Sequence, residues 1–240
     1  MVLVSHDRMF VFIKTGKTAS TSVEMYLERW CRPPGARITE RTRQHRSRHG
    51  IVGARMTGKP SRLGRWLHPW RNHMSATEIR DRLGRDRWGA YAKITSIRNP
   101  FDKALSQYLW HTRLPEPRDL HEAAAFRPAF TAHLRAYPGL TDHHTLHVDG
   151  AYAPDLTIRY EHLAQDLSDV CARLHLQWEP DRLAVTKRTR DGRLPLDAFY
   201  DDEAAAIVRD RYAWIFDRFG YAADPATPLP APHHDITGAA

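Results

Sequence analysis

The sequence predicts an α/β fold, a single domain in which helices flank a parallel β-sheet. Three short apolar runs predict buried strands at residues 9–14, 90–97 and 156–160, and a helical pattern follows each of them. The chain has 240 residues and is 42% hydrophobic, which is enough for one domain with its own core. We expect this domain to span residues 1–222. Four prolines and no apolar periodicity predict a flexible Pro/Ala-rich tail over residues 223–240.

The individual elements follow from local patterns. The first strand, MFVFIK, leads through a polar run into VEMYLERW, whose apolar residues recur at helical spacing. SATE, which begins at Ser75, has the form of a capping box and predicts a helix start. After the second strand, Asn99 is a suitable N-cap for a helix with Pro100 in its first turn. The third strand precedes HLAQDLSDVCARL, and residues 201–221 predict a long closing helix.

Positive charge is concentrated in one segment. The chain has 36 basic and 28 acidic residues and a formal net charge of +8. Residues 32–71 contain ten Arg and one Lys against the single acid Glu40, so their net charge is +10 (11 − 1) and the rest carries −2 (8 − 10). Periodicity is weak there, and we expect residues 32–72 to form a long Arg-rich loop that binds an anion.

Composition excludes several classes of protein. The longest apolar run has five residues, against the roughly 20 needed to cross a bilayer, so we expect no membrane span. Charged and polar residues at positions 6–8 interrupt any secretory pattern, which predicts a cytoplasmic protein. Cys31 and Cys171 form no CxxC pair and no HExxH motif is present, so we expect neither a disulfide framework nor a catalytic metal.

The run KTGKTASTS, residues 14–22, has the composition of a phosphate site between a strand and a helix. At a helix N-terminus, unpaired amides and the helix dipole favour an anion. Lys17 adds a full positive charge, and the hydroxyls add donors. Gly16, Lys17 and Thr18 also match the end of the ATP-binding pattern GxxxxGK[ST], which makes the predicted sheet P-loop-like, although position 11 is Val where that pattern has Gly.

A second anion site is predicted where the second strand ends. Arg98 lies at the end of this strand and Ser106 two turns into the next helix, so a guanidinium group and a hydroxyl could share one phosphate. An ATPase would be expected to place a magnesium-binding aspartate at the end of its second apolar strand. This strand ends in arginine instead.

These residues resemble the sulfotransferases that use 3′-phosphoadenosine 5′-phosphosulfate (PAPS), on the branch that includes carbohydrate and heparan sulfate 2-O-sulfotransferases. KTASTS (17–22) is similar to that branch's loop for the 5′-phosphosulfate, and IRNPFDKALSQY (97–108) is similar to its 3′-phosphate site. NHMSATEIRDRLG (72–84) resembles the stretch that carries the catalytic histidine, which maps onto His73. TKRTRDGRLP (186–195) is similar to a basic loop that closes over the nucleotide.

The resemblance implies in-line transfer of a sulfuryl group from PAPS to an acceptor hydroxyl, with 3′-phosphoadenosine 5′-phosphate (PAP) leaving. It implies two catalytic residues: His73 as the general base, and Lys17 to neutralise charge on the bridging oxygen. The scheme requires no metal. The donor would be held by three groups of residues, in the loop, at the second anion site and in the basic loop: Lys17, Thr18, Ala19, Ser20, Thr21, Ser22, Arg98, Ser106, Arg188 and Thr189.

The acceptor implied by the resemblance is a carbohydrate or glycoconjugate, with no nucleic-acid partner. Because residues 32–72 lead directly to His73, we expect this segment to form part of the acceptor cleft.

Two other functions remain open at the level of sequence. A P-loop kinase or NTPase is favoured by the triplet GKT and would depend on magnesium. An Arg-rich nucleic-acid-binding protein is favoured by the sequence pI of about 9.7, and its binding would fall steeply with salt. Trp66 and Trp70 are the only aromatic residues of the basic segment, which argues against a stacking groove for single strands.

Overall fold

The computed structural model describes residues 2–40, 43–54, 66–184, 186 and 192–227. The chain divides into two compact units, one of residues 1–97 and 142–186 and the other of residues 98–141 and 187–240. Each unit is therefore built from two separate stretches of sequence. No helix within the described ranges is long and apolar enough to cross a membrane.

The first unit contains a mixed six-stranded sheet. Its strands are β1 (Leu3–Ser5), β2 (Phe10–Ile13), β3 (His45–Arg46), β4 (Gly50–Val52), β5 (Ala92–Ile97) and β8 (Leu156–Arg159). A separate two-stranded hairpin is formed by β6 (His147–Val148) and β7 (Ala151–Tyr152). The sheet order is β3-β4-β1-β2-β5-β8. This confirms the predicted α/β class.

The sheet is parallel in one half only. β2, β5 and β8 run parallel, with Ile13 opposite Thr95 and Thr95 opposite Thr157. β1 pairs antiparallel with both β2 and β4, and β3 pairs antiparallel with β4. The prediction of a wholly parallel sheet is therefore wrong for β1, β3 and β4. β1 has only three residues, too few to show a period, and residues 6–8 form the turn that joins it to β2.

Part of the Arg-rich segment belongs to this sheet. Residues 32–72 were expected to form a loop, yet residues 45–52 form the hairpin of β3 and β4. A Cβ atom on Gly50 would lie 2.1 Å from the carbonyl oxygen of Val4, so the pairing of β4 with β1 requires glycine there. A single glycine in an arginine-rich run gives no such signal in sequence. Residues 55–65 lie outside the described ranges.

Helices cover the sheet of the first unit. They are α1 (Ser20–Leu27), α2 (Ala76–Leu83), α3 (Arg85–Ala90), α6 (His143–Leu146) and α7 (Leu163–Arg173). α1 contacts β5, and α7 contacts β8. The capping box predicted at Ser75 is confirmed: its hydroxyl accepts from the amide of Glu78 at 3.2 Å, and the Glu78 carboxylate accepts from the amide of Ser75 at 3.2 Å. This fixes the residue at which α2 begins.

The second unit is helical in its described part. Its helices are α4 (Pro100–Thr112), α5 (Leu120–Ala136), α8 (Asp202–Arg211) and α9 (Ala213–Phe219). Asn99 caps α4 as predicted, accepting from the amide of Phe101 at 2.9 Å. The core includes Phe101 and Tyr200, whose ring centroids lie 5.2 Å apart and whose planes are nearly perpendicular.

The single closing helix predicted over residues 201–221 is wrong. Tyr212 leaves helical geometry (φ −109°, ψ 17°) and separates α8 from α9. No proline or glycine marks this break, and the Tyr212 side chain is 1% exposed, so tertiary packing of a large ring outweighs helix propensity here. Of the predicted tail, residues 228–240 lie outside the described ranges.

Candidate functional site

The predicted phosphate loop, residues 14–19, connects β2 to α1 in the first unit. Lys17 (φ 63°) and Ala19 (φ 53°) both adopt left-handed backbone conformations, and Thr18 between them does not. Each left-handed residue other than glycine costs about 1–3 kcal/mol, a strain typical of functional loops. Alternating backbone handedness turns successive amide groups toward a common side, the geometry of an anion-binding nest.

The N-terminus of α1 is suited to an anion. Ala19 is its N-cap, and the Ala19 methyl group forms no side-chain cap. The first-turn amides therefore lack the side-chain acceptor that Ser, Asp or Asn usually supplies at this position. Lys17 is half-buried two residues earlier. Amides, the positive end of the helix dipole and a lysine thus occupy one loop, as the sequence predicted.

A hydroxyl network fastens this loop to β5. Thr15 Oγ1 donates to the carbonyl oxygen of Ser96 at 2.5 Å and lies 2.8 Å from Thr18 Oγ1. Thr18 Oγ1 in turn lies 2.9 Å from Ser96 Oγ, and Ser20 donates to the carbonyl oxygen of Thr15 at 2.7 Å. All four side chains are buried. The hydroxyls of Thr18 and Ser20 therefore shape the loop.

Beneath the loop lies a buried ion pair. Lys14 Nζ is 2.5 Å from Glu24 Oε2 and 3.1 Å from Thr21 Oγ1, and the side chains of Lys14 and Glu24 are 5% and 1% exposed. The Thr21 hydroxyl accepts from Lys14 and so keeps its own proton to donate. Lys14 therefore anchors β2 to α1.

Another hydroxyl of α1 contacts a distant part of the chain. Ser22 Oγ lies 3.2 Å from the hydroxyl of Thr186 and accepts from the amide of Thr186 at 3.3 Å.

The segment before α2 is fastened to the sheet edge. The amide of Val2 donates to the carbonyl of Arg71 at 3.2 Å, and the amide of Asn72 donates to the carbonyl of Ala54 at 2.9 Å. The Arg71 guanidinium group donates to Glu78 of the capping box at 2.5 Å. His73, which follows, has a left-handed backbone (φ 54°). Both sides of His73 are thus fixed, which is what sustains a strained conformation.

His73 lies beside the loop. The backbone of Lys14 and the charges of Lys14 and Glu24 act on its ring. The pKa of His73 is lowered to about 4, first by desolvation of the ring and then by nearby positive charges, Lys14 among them, while Glu24 and the Lys14 backbone act in the opposite direction. The residue as a whole is exposed to solvent. The lowered pKa leaves the ring neutral at pH 7.

The loop and His73 together make a site of defined chemical character. Amides and Lys17 favour an anion, and a neutral imidazole next to the same loop can accept a proton. The structure thus brings together two sequence-predicted features, the loop of residues 17–22 and His73, that are more than 50 residues apart.

Arg98 and Ser106 lie in the second unit, at the start of α4. Arg98 is 5% exposed, and its guanidinium group binds Asp102 through two nitrogens, Nε at 2.7 Å and Nη2 at 2.6 Å. Ser106 is fully buried one turn beyond Asp102. The spacing of four places the three residues on one side of the helix. Asp102 was not predicted as a partner of Arg98, although opposite charges four residues apart are a recognisable signal for a pair along a helix.

Three other residues of the site were missed: Lys14, Glu24 and Ser96. Lys14 and Glu24 resemble surface residues in composition, and only their burial shows their structural role. Arg188 and Thr189, predicted to bind the nucleotide, lie outside the described residues. Within the described ranges, no group of three or more His, Cys, Asp or Glu side chains is placed to hold a metal ion.

Comparison with known proteins adds no relative. No protein-family model matches the chain, and neither curated proteins nor solved structures gave a match.

Proposed function

We propose that this chain is a sulfotransferase that moves a sulfuryl group from PAPS to a hydroxyl of a carbohydrate or glycoconjugate. One observation carries the proposal: a strained amide-rich loop at a helix N-terminus has a neutral histidine beside its first residue, Lys14. An anion site next to a base suits transfer of an anionic group to a hydroxyl. The finer fold class predicted from the sequence, a P-loop-like sheet, depends on the β2–loop–α1 segment and is part of the same proposal.

The proposed step is an in-line displacement at sulfur. The acceptor oxygen forms a bond to sulfur, its proton passes to His73, and the bond from sulfur to the bridging oxygen breaks with its electron pair leaving on PAP. The amides of residues 19–21 hold oxygens of the phosphosulfate, and Lys17 neutralises the charge that grows on the bridging oxygen. Thr21 and Ser22 supply hydroxyl donors. The assignment of Arg98 and Ser106 to the 3′-phosphate, and of Arg188 and Thr189 to the nucleotide, stays a prediction.

Donor binding would strengthen His73 as a base. Its pKa of about 4 in the free protein makes it a weak base, and a nearby polyanion favours the imidazolium form and so raises the pKa. An NMR titration of the His73 ring should give a midpoint near 4 without ligand and a higher one with PAP. An unchanged midpoint would contradict this role of the donor.

The geometry favours this reaction over that of a P-loop kinase. In P-loop NTPases the hydroxyl after the lysine binds magnesium. Here that hydroxyl belongs to Thr18, which is fully buried and hydrogen-bonded to Thr15 and Ser96. β5 is followed by Arg98 and not by an aspartate.

A thermal-shift comparison tests the donor. PAP should raise the melting temperature, whereas ATP with magnesium should not, and adenosine 5′-phosphosulfate should have a weaker effect because it lacks the 3′-phosphate. If ATP with magnesium raised the melting temperature and PAP did not, the proposal would be refuted. Ser106→Ala should weaken the binding of PAP but leave the binding of adenosine 5′-phosphosulfate unchanged. Equal effects on the two ligands would show that Ser106 does not bind the 3′-phosphate.

Transfer itself is tested with labelled donor on a panel of glycans. Lys17→Ala and His73→Ala should each lower transfer by at least a hundredfold, as expected for loss of an electrostatic or general-base group. His144→Ala, which removes an exposed histidine elsewhere in the first unit, is the control and should keep full activity. Retained activity in either test variant would refute the role given to that residue.

A further inference from the structure

A pocket of about 300 Å³ opens in the first unit, formed by residues that the proposed reaction does not use. Three arginines line it, Arg46 from β3, Arg82 from α2 and Arg87 from α3. Two buried apolar side chains, Trp70 and Leu83, also face it. A cavity that combines apolar surface with a few converging charged groups is typical of small-ligand sites.

The three arginines are exposed, and among the described residues none of them forms an ion pair. Three acids are sequence neighbours of the pocket lining. Asp7, next to His6, binds His49 at 2.6 Å, and Asp81, next to Arg82, binds Arg80 at 3.2 Å, whereas Asp86, next to Arg87, is exposed to solvent. The three arginines therefore give the lining a net positive charge.

His6 and Ser47 complete the polar lining. The pKa of His6 is lowered by partial burial and then by the nearby charge of Arg87, so its ring is neutral at pH 7. Its Nδ1 lies 2.9 Å from the hydroxyl of Tyr91. The positive field of the pocket at neutral pH thus comes from the arginines, while His6 and Ser47 offer hydrogen bonds.

The pocket lies far from the phosphate loop. α2 begins three residues after His73, and Arg82 and Leu83 are its last residues, so its eight residues place about 12 Å of helix between the two sites. The strand directions also separate the two sites. His6 follows β1 and Arg87 precedes β5, so both lie at the end of the sheet where β2 and β5 begin. The phosphate loop follows the opposite end of β2. Arg46 therefore lines a pocket at the opposite end of the sheet from the phosphate loop, and the acceptor role expected for residues 32–72 stays a prediction.

We infer that this pocket is a further anion site, separate from the two predicted from the sequence, and that it binds a small organic molecule through a sulfate or phosphate ester. Planar guanidinium groups bind the oxygens of such esters in pairs, and three of them suit a doubly charged or branched anion. Trp70 and Leu83, although buried, contribute the apolar part of the lining. The volume fits a compound of about one sugar ring. This inference does not depend on the proposed transfer reaction.

Calorimetric titration of the full chain tests the inference. The probes are glucose 6-sulfate, glucose 6-phosphate and neutral glucose. Binding of either ester, with no binding of glucose, is the expected result, and the tighter ester identifies the preferred charge. Arg46→Gln and Arg87→Gln should each raise the Kd about tenfold or more, since each removes a charge-assisted hydrogen-bond donor.

Two controls make the outcome decisive. Arg85→Gln removes an exposed arginine of the same helix α3 that does not line the pocket, and the Kd should not change. Lys17→Ala should also leave the Kd unchanged, because the phosphate loop is elsewhere. Three results would each overturn the inference. They are the absence of ester binding, a loss of affinity in Arg85→Gln equal to that in the pocket variants, and abolition of ester binding by Lys17→Ala. Failure of PAP binding with intact ester binding would instead count only against the proposed sulfotransferase.

Discussion

The buried pair of Lys14 and Glu24 is central to the stability of the loop. Removing one partner of a buried ion pair leaves a charge without compensation, which costs about 3–5 kcal/mol. We expect Glu24→Gln to lower the free energy of unfolding by about 3 kcal/mol, near the low end because glutamine keeps one polar oxygen. Urea denaturation followed by circular dichroism measures this change in the free energy of unfolding.

A matched exposed pair serves as the control for this prediction. Glu203 pairs with Arg135 at the surface of the second unit, where 49% and 60% of the side chains are exposed. Exposed pairs contribute about 0–1 kcal/mol, so Glu203→Gln should change stability little. Equal losses in the two variants would show that the Lys14 pair is not effectively buried. The double variant Lys14→Met/Glu24→Leu should be less destabilised than either single change.

His73 makes stability depend on pH in a definite direction. Its folded pKa of about 4 lies below the value of 6.5 expected when unfolded, so between these values the unfolded chain binds more protons than the folded chain. Stability must therefore fall as the pH drops from 6.5 toward 4. In His73→Asn the melting temperature should decline less over this window. Identical pH profiles for the two proteins would contradict the lowered pKa.

At the residue scale, composition predicted the loop and the family resemblance predicted His73, but neither predicted the residues that support them. The cluster of hydroxyls and Lys17 is visible as a run of neighbouring residues. The role of Thr18 depends instead on Ser96, which contacts it across more than 70 residues of sequence. A contact of that kind is set by strand pairing and leaves no local pattern.

At the element scale, the cap of α2 positions the catalytic candidate. Ser75→Ala removes the N-cap hydroxyl and should cost about 1 kcal/mol. Because His73 lies two residues before this cap, we also expect transfer to fall while PAP affinity stays unchanged. Thermal unfolding, calorimetry and the transfer assay measure the three quantities.

Asp119 provides a comparable cap in the second unit. Its carboxylate accepts from the amide of Glu122 at 2.8 Å at the start of α5. Asp119→Ala should cost similar stability without a specific loss of transfer. If both variants lose activity in proportion to stability, the cap of α2 has only a structural role.

Elements with strong local signals were the predictable ones. The capping box of α2 and the Asn99 cap with Pro100 fix two helix starts through residues within three positions of each other. The break at Tyr212 and the strand pairing at Gly50 depend on packing with distant residues, so the sequence pattern indicated a continuous helix and a loop.

At the scale of the whole molecule, discontinuous units limit what can be cut from the chain. Residues 1–97 contain β1 to β5 but lack β8, which pairs with β5 through Ile94 and Leu156. We expect this fragment to leave a buried strand edge unpaired and to remain unfolded. Its ¹H–¹⁵N spectrum should be poorly dispersed, and coexpression with residues 142–186 should restore dispersion. A well-dispersed spectrum of the fragment alone would contradict this.

The fold class could be predicted because each of the three strand–helix units lies in one continuous stretch of sequence. The division of the chain into two compact units could not be predicted. Which stretches join one unit depends on pairing between residues such as Thr95 and Thr157. Net charge predicted that residues 32–71 bind an anion, and this stays a prediction. The structure shows that Arg46 of this segment lines one pocket together with Arg82 and Arg87.

The late position of β8 also has a consequence for synthesis on the ribosome. The last residue of β5, Ile97, emerges 59 residues before the first residue of β8, Leu156. At translation rates of about 5–20 residues per second, the nascent chain carries an unfinished sheet for about 3–12 s. During that interval an apolar strand is open to wrong partners, so the yield of correctly folded protein should depend on elongation speed and on chaperones that cover this edge.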